Sequence, residues 1–257
     1  MSDTVEIYLN SKSANQKLND EVADCFYHLP NIDANPLTED VYVSVRSAVI
    51  PFSWYNINNI NNKLVIIYDS VTYTLTIPNG NYNVNTLRNE VATLINATHG
   101  GDGHDITITY ITKTNKFLFT SSHHAFTLKS TSTCFEVLGF KDNNDYTSSD
   151  INGTNTLESI IAVNLFVVRT LYVASNNFIL NNVNSATPQD SSILASIPVI
   201  GNPASIIHYS NNNAKHKIHH LNNFNNLHIK IIDNDGDLVF FNDVNYSMTL
   251  ELTIIKK

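Results

Sequence analysis

Four histidines, His208, His216, His219 and His220, are the residues whose type and spacing come closest to a chemical site. Imidazoles grouped on a strand or helix can bind a transition metal. The lysines on either side of His216 would repel a metal cation, however, and the asparagine runs that flank the cluster are typical of a solvated loop. Histidine changes its charge near neutral pH. Two interpretations of these histidines therefore remain, a solvated loop and an interface that responds to pH.

Asp233, Asp235 and Asp237 occupy every second position, which resembles the start of a calcium-binding loop. An EF-hand loop needs glycine at its sixth position and a bidentate carboxylate at its twelfth. This sequence has Leu238 and Val244 at those positions. The Asp-Gly pair inside the run is instead typical of a hairpin turn between two apolar strands. We therefore predict a turn here and no metal site.

Two cysteines, Cys25 and Cys134, lie far apart in apolar segments. We expect buried free thiols, because a nucleophilic cysteine needs a placed base and we identify none for either residue. The sequence also contains no G-x-S-x-G, H-E-x-x-H, Walker A or G-x-G-x-x-G motif. We therefore predict no catalytic residue, no cofactor-binding residue, no cofactor, no metal ligand and no enzymatic activity.

Three aromatic residues, Phe52, Trp54 and Tyr55, lie just before an asparagine-rich stretch. Such rings can form a surface for a carbohydrate or a protein partner, or they can pack in the core at the end of a strand. Core packing is favoured, because large aromatic side chains mostly serve to bury area.

The composition narrows the possible functions of this chain of 257 residues. It is 42% hydrophobic and only 15% charged, with 38 asparagines and a net charge of −8. An acidic chain with three arginines is poorly suited to direct contact with nucleic acid, whose phosphates need clustered positive charge. No run of about 18 apolar residues is present, so no membrane span is predicted. The first residues also lack the apolar segment of a secretory signal.

Most of the asparagines fall in stretches that are typical of loops. Three others, Asn10, Asn164 and Asn245, lie at or near predicted strands. We expect these three to make hydrogen bonds across an interface, because an amide can do so without the cost of burying an ion.

Most of the secondary-structure elements that must position these residues are predicted to be strands. Val5, Ile7 and Leu9 alternate with polar neighbours, which is the period of a half-buried strand. A stronger pattern covers residues 41–50, where the odd positions up to Val49 are predicted to share one face and Ala48 lies on the opposite face. Further strands are predicted at residues 160–168, 170–174, 193–200, 205–209, 227–232, 238–241 and 247–255.

Residues 63–141 follow a different pattern. Two strand pairs are predicted, one on each side of an amphipathic helix at about residues 84–98, which Asn83 or Asn85 can cap. This ββαββ segment is typical of a small inserted α+β domain, and the polar residues 141–156 after it are predicted to form a loop. Many short strands and one helix favour a mainly β fold, an antiparallel sandwich.

Five phrases of the sequence, taken in order, resemble the vertex (penton) capsid proteins of virophages, polinton-like viruses and large double-stranded DNA viruses. They are residues 50–58 (IPFSWYNIN), 77–82 (IPNGNY), 137–140 (VLGF), 194–199 (LASIPV) and 244–252 (VNYSMTLEL). The resemblance implies a single jelly-roll β-sandwich of two antiparallel sheets, formed by residues 1–62 and 142–257. Residues 63–141 would then be the inserted domain.

The resemblance also implies a structural role in the virion. The chain would form a homo-pentamer, the penton capsomer at the five-fold vertices of an icosahedral capsid. Its neighbours would be major capsid protein capsomers and minor capsid proteins, and it would be made and assembled in the host cell. Three alternatives stay open: a minor capsid or cement protein that bridges major capsomers, a carbohydrate-binding or receptor-binding jelly roll, and a cupin-like metal enzyme.

Overall fold

The computed structural model describes residues 2–32, 38–98, 105–178, 180, 182–183, 190–211, 214–218 and 224–257. The strands in its first half are β1 (Ser2–Asn10), β2 (Gln16–Lys17), β3 (Asp24–Ile32), β4 (Glu39–Pro51), β5 (Lys63–Tyr68), β6 (Val71–Thr76), β7 (Ile106–Ile111), β8 (Lys116–Ser121) and β9 (Phe126–Leu128). The later strands are β10 (Tyr146–Thr147), β11 (Ser149–Ile151), β12 (Thr154–Glu158), β13 (Thr170–Ala174), β14 (Asn182–Val183), β15 (Asp190–Ser191), β16 (Ile193–Pro198), β17 (Ile206–Ser210), β18 (His216–Ile218), β19 (Phe224–Ile232) and β20 (Ser247–Lys256). The helices are α1 (Val84–Ala97) and α2 (Phe135–Leu138), with 3-10 turns at Ser11–Ser13 and Leu18–Asp20.

The chain folds as two compact units. Unit 1 consists of Met1–Trp54 and Val168–Lys257, and unit 2 is Tyr55–Val167. Unit 2 interrupts the sequence of unit 1 between β4 and β13. It extends at both ends beyond residues 63–141, the inserted domain expected from the sequence. A bridge between Ile57 and Gly80 adds residues before β5, and the pairing of β12 with β8 adds residues after 141.

Unit 1 has the strand order of a jelly roll. Sheet A has the order β1-β20-β4-β17, with β18 also paired to β4, and sheet B has the order β16-β13-β19-β3-β2. Eight of these strands form the sandwich. Sheet A holds β1, β4, β17 and β20, which are the first, third, sixth and eighth of the eight along the chain, and sheet B holds β3, β13, β16 and β19. Every neighbouring pair is antiparallel. Eight strands divided in this way form the two Greek keys of a jelly roll, so the predicted fold class is confirmed.

Both sheets of unit 1 turn one side towards a shared apolar core. On β1, Ile7 and Leu9 are buried as their alternation predicts, and β19 contributes Leu227, Ile229 and Ile231 from the other sheet. The opposite side of each strand carries the intervening residues. The outward side of sheet A is therefore a surface whose residues are set by strand register.

A β-bulge reverses the predicted facing of β4 beyond Arg46. Val45 pairs with Leu250 of β20, but the next partner, Thr249, pairs with Ser47, so Arg46 is an extra residue. Because side chains alternate with a period of two, one extra residue moves all later side chains to the other face. The sequence prediction is therefore wrong for the last third of β4, where Ala48 is buried and Val49 is exposed.

Unit 2 is an α+β unit with a core of its own. Its sheets have the orders β10-β9-β5-β6 and β11-β12-β8-β7. The predicted helix forms as α1, and Asn83 caps it, since its side-chain oxygen accepts a hydrogen bond from the backbone N–H of Thr86 at 3.0 Å. Leu87, Val91 and Ile95 of α1 are fully buried. Among the described residues, no helix combines the length and the apolar run needed to cross a membrane.

Residues 160–168 do not form the predicted strand. Their backbone N–H groups donate to two separate parts of unit 2, helix α2 with its C-cap and the turn at Asn115, instead of to one neighbouring strand. These bonds run from Ile161 to Gly139 (2.9 Å), from Val163 to Asn115 (2.8 Å) and from Asn164 to Val137 (3.3 Å). No regular ladder can form with such partners, so this apolar run is an irregular packed segment.

Residues 238–241 do not form the predicted second strand of a hairpin either. β19, the other half of that hairpin, is already paired on both edges, with β13 and with β3. A bridge between Ile232 and Leu238 and a hydrogen bond from the Val239 N–H to the Ile231 carbonyl (3.1 Å) extend the pairing only at the end of β19. The occupied edges of a central strand therefore override the local hairpin signal.

Strands also occur in residues 141–156, where a loop is predicted. β10, β11 and part of β12 lie there, and Asn152 and Gly153 connect β11 to β12 with φ angles of 53° and 81°. Two consecutive residues with positive φ are the geometry of a type I′ hairpin turn, and Asn-Gly is its typical sequence. The Asn-Gly pair is thus a sequence signal for this hairpin.

Candidate interaction surface

The outward side of sheet A carries seven charged side chains that contact one another. We call this set the basic face; its members are Arg46, Lys215, Lys217, Lys257, Glu6, Asp40 and Glu251. Glu6 of β1 lies directly opposite Glu251 of β20 in the strand register. The bulge in β4 leaves Arg46 on the same side, within reach of both carboxylates. Strand pairing therefore positions the face.

Two ion-pair groups hold these side chains. In the first, Arg46 Nη1 lies 2.5 Å from Glu6 Oε1 and 3.0 Å from Glu251 Oε2, and Lys215 Nζ lies 2.6 Å from Glu251 Oε1. The hydroxyl of Tyr8 also donates to Glu6. Each carboxylate is thus shared between several donors, which fixes the long cationic side chains along the sheet.

The second group is centred on Asp40 at the start of β4. Lys217 Nζ lies 2.9 Å from Asp40 Oδ2, and Lys257 Nζ lies 3.5 Å from Oδ1. The hydrogen bond from Lys217 lowers the pKa of Asp40, and the same bond raises the pKa of Lys217. In the first group, the hydrogen bond from Lys215 lowers the pKa of Glu251. These shifts keep Asp40, Lys217 and Glu251 charged at neutral pH.

The cations are the outermost groups of the basic face. The side chain of Arg46 is 54% exposed and that of Glu251 only 13%, while Lys217 is 42% and Asp40 26% exposed. The carboxylates lie beneath the cations that they bind. Another molecule would therefore meet mostly positive charge.

Apolar side chains border the basic face on the same side of sheet A. Val49 is 39% exposed, Ile206 at the start of β17 is 55% exposed, and Tyr8 on the edge strand β1 is 76% exposed. His208 pairs with Val49 in the strand register and therefore shares its side. A protein contact surface combines an apolar, aromatic part with a polar rim, and both kinds of group lie side by side on this side of sheet A.

The four histidines do not form one cluster within the described residues. His208 faces outward on sheet A, whereas His216 pairs with Val43, whose side chain is in the core. His216 accordingly turns inward, and its Nε2 lies 3.1 Å from the carbonyl oxygen of Leu194 in sheet B. His219 and His220 lie outside the described residues. The register of sheet A thus separates His208 from His216.

The aspartate run at residues 233–237 forms a turn. One side-chain oxygen of Asp233 accepts hydrogen bonds from the backbone N–H groups of Asp235 (2.9 Å) and Asp237 (3.0 Å). This is an Asx-type turn, in which the carboxylate binds its own backbone. Within the described part of the chain, no group of three or more His, Cys, Asp or Glu side chains is arranged to hold a metal ion.

A buried acid–base pair lies on sheet B, and the sequence analysis misses it. Asp24 of β3 is 1% exposed, and its carboxyl group is hydrogen-bonded to Nε2 of His228 on β19, which is 8% exposed. The ring of Phe26 stacks on His228 with centroids 4.0 Å apart, and Lys230 Nζ lies 3.9 Å from Asp24. The partners are 204 residues apart in the sequence, so no local spacing could reveal the pair.

Both cysteines are buried free thiols, as predicted. Burial raises the pKa of Cys25 and that of Cys134, so both are protonated at neutral pH and are poor nucleophiles. The buried hydroxyls of Tyr27 and Tyr246 lie near Cys25, and burial raises the pKa of both phenols. Among the described residues, neither hydroxyl has a partner in hydrogen-bonding geometry.

The predicted aromatic group belongs mainly to the core. Trp54 is 4% exposed; it stacks on Phe52 with centroids 4.3 Å apart and meets Phe241 edge-on at 5.8 Å. Tyr55 is half-buried. The core-packing interpretation is confirmed for Trp54, which leaves little aromatic area for a carbohydrate surface.

The three asparagines expected at an interface make hydrogen bonds within the chain instead. Asn10 accepts from the backbone N–H of Lys12 at 2.9 Å, and Asn245 accepts from the hydroxyl of Ser11 at 3.0 Å. Asn164 donates to Glu136 at 2.8 Å. These bonds satisfy local turns and caps. Hydrogen bonds from the same amides to a second chain stay a prediction.

No protein-family model matches the chain, and no curated protein sequence matches it. Among solved structures, the crystal structure of the mavirus penton protein is similar, with a TM-score of 0.54, 11% sequence identity, and coverage of 99% of this chain and 100% of that chain. The cryo-EM structure of the Sputnik virophage contains a chain with a TM-score of 0.46 and 14% identity, covering 99% and 98% of the two chains. The first likeness shows a shared fold over the whole of both chains.

Proposed function

We propose that this chain is a structural protein of an icosahedral virus capsid, the subunit of a pentameric capsomer at the five-fold vertices. The observation that carries the proposal is the fold shared with the mavirus penton protein over 99% of this chain and all of the other. The likeness includes both units, so the resemblance covers an interrupted jelly roll and not only a common sandwich.

The chemistry of the chain supports a non-enzymatic role in the virion. The ion-paired side chains of the basic face are arranged along a sheet surface and not around a cavity. Its cysteines are buried and protonated. The expected partners are four further copies of the chain, the neighbouring major capsid protein capsomers and minor capsid proteins, and no nucleic acid contact is needed.

The oligomeric state of the purified full chain tests the proposal. Native mass spectrometry should give a species of five chains, about 143 kDa from the 28.7 kDa of one chain. A chain that stays monomeric at all concentrations, and binds only to preformed shells, would instead be a minor capsid or cement protein.

A further inference from the structure

We propose that the basic face is one of the two surfaces through which copies of this chain bind one another in a ring, and that its occupant is a second copy of this chain. The inference rests on the proposed function and names the contact surface that it requires. Charge complementarity, the orientation of the ion pairs and the adjoining apolar residues carry it.

Charge favours a second copy as the occupant. The four cations and three carboxylates of the basic face give it a charge of +1, whereas the whole chain carries −8, so the rest of the chain carries −9. The cations are also the more exposed partners of each pair. A positive face on an otherwise acidic molecule attracts an acidic surface of a second copy of that molecule, and it repels surfaces of like charge.

The same charge argues for a head-to-tail contact. If the basic face met itself across a two-fold axis, the exposed cations Arg46, Lys215 and Lys217 would oppose one another. The face therefore fits a different surface of the next copy. Contacts between two different surfaces generate closed rings when the rotation between copies closes, as a pentamer requires.

The intrachain ion pairs lower the cost of covering this face. Arg46 and Lys215 already share Glu251, and Lys217 already binds Asp40, so these cations keep a partner when water leaves. Val49, Ile206 and Tyr8 at its border supply apolar area whose burial stabilises the contact. A net charge of +1 is too small to neutralise a run of phosphates, which disfavours nucleic acid as the occupant.

Amine labelling tests the surface without altering the chain. Assembled and diluted protein are treated with an acetylating reagent, and each lysine is followed by mass spectrometry. Lys215 and Lys217 should be labelled roughly fivefold less in the assembled protein, because a partner covers them, whereas the exposed Lys63 and Lys113 of unit 2 should be labelled equally in both. Equal labelling of Lys215 and Lys217 in a proven pentamer would overturn the inference and leave the proposed function standing.

A pair of matched variants provides the second measurement. Ile206→Asp places a charge at the apolar border of the basic face, and Val71→Asp makes the same change at a comparably exposed residue of unit 2. Ile206→Asp should raise the protein concentration at half-assembly by roughly tenfold or more, and Val71→Asp should leave it unchanged. Circular dichroism of each variant checks that it is folded.

Three results separate the inference from the proposed function. Loss of the pentamer in folded Ile206→Asp, with a pentameric Val71→Asp, supports the inference. A pentameric Ile206→Asp, or protection of Lys215 and Lys217 that requires added double-stranded DNA instead of a second copy, overturns the inference alone. A wild-type chain that never assembles overturns both the inference and the proposed function.

Discussion

Replacing Gly139 by alanine should destabilise the protein far more than the same change at Gly153. Both glycines lie in unit 2 and have nearly equal positive φ angles, +85° and +81°. An alanine with such a φ costs about 1–2 kcal/mol at either position. The two sites differ in what the new methyl group would meet.

At Gly139 the added Cβ would lie 2.5 Å from the carbonyl oxygen of Ile161 and 2.8 Å from the hydroxyl of Ser159, whereas at Gly153 nothing lies within 4 Å. Neither neighbour can move easily. Ile161 donates its N–H to the Gly139 carbonyl at 2.9 Å, and the Ser159 hydroxyl accepts from the Phe117 N–H at 3.1 Å. Overpacking of this kind costs about 1–3 kcal/mol more.

Urea unfolding followed by far-UV circular dichroism measures the difference. We expect Gly153→Ala to lower the free energy of unfolding by about 1–2 kcal/mol and Gly139→Ala to lower it by about 2–5 kcal/mol. Both changes are in the same unit and carry the same cost of positive φ. The additional loss in the free energy of unfolding at Gly139 therefore measures the contact of the new methyl group with Ile161 and Ser159. Losses that agree within about 0.5 kcal/mol would refute the reasoning.

Three further predictions concern buried or paired polar groups. Tyr246→Phe should leave the free energy of unfolding unchanged or raise it, because the deleted hydroxyl is buried near Tyr27 and Cys25 without a well-formed hydrogen bond. A loss above about 1.5 kcal/mol would show that these contacts act as a hydrogen bond. Cys25 and Cys134 should resist iodoacetamide in native protein at pH 7.5 and react in urea, since burial raises the pKa of each thiol; labelling of the native protein contradicts this. The hydrogen bond from Lys129 lowers the pKa of Asp145 to about 2. The stabilisation from this pair is therefore present above the unfolded pKa and lost as pH falls through about 2, and an NMR titration of the Asp145 carboxyl with a midpoint near 4 would contradict it.

Local pattern is sufficient to predict which side of a regular strand or helix is buried. The alternation of Ile7 and Leu9 on β1 and the amphipathic spacing of Leu87, Val91 and Ile95 on α1 each predict the buried side correctly. These patterns depend only on the period of one element. The jelly-roll order itself is implied only by the resemblance of five short phrases, because periodicity alone does not distinguish one sandwich from another.

Features that depend on distant partners could not be predicted in the same way. The bulge at Arg46 is visible only in the register of β4 against β20, yet it decides that Ala48 is buried and Val49 exposed. The basic face joins Glu6, Lys215 and Glu251, which are more than 30 residues apart from one another. Such a surface exists only after the sheet has formed, so its residues have no common sequence signal.

The position of β20 sets the order in which the two units can form during synthesis. β20, Ser247–Lys256, lies between β1 and β4, so sheet A cannot close until β20 has left the ribosome. All residues of unit 2 are made by Val167. At about 5–20 residues per second, the 90 residues from Val168 to Lys257 take roughly 5–18 s. During that interval β1 and β4 lack their partner β20, and their exposed strand edges can pair with other chains.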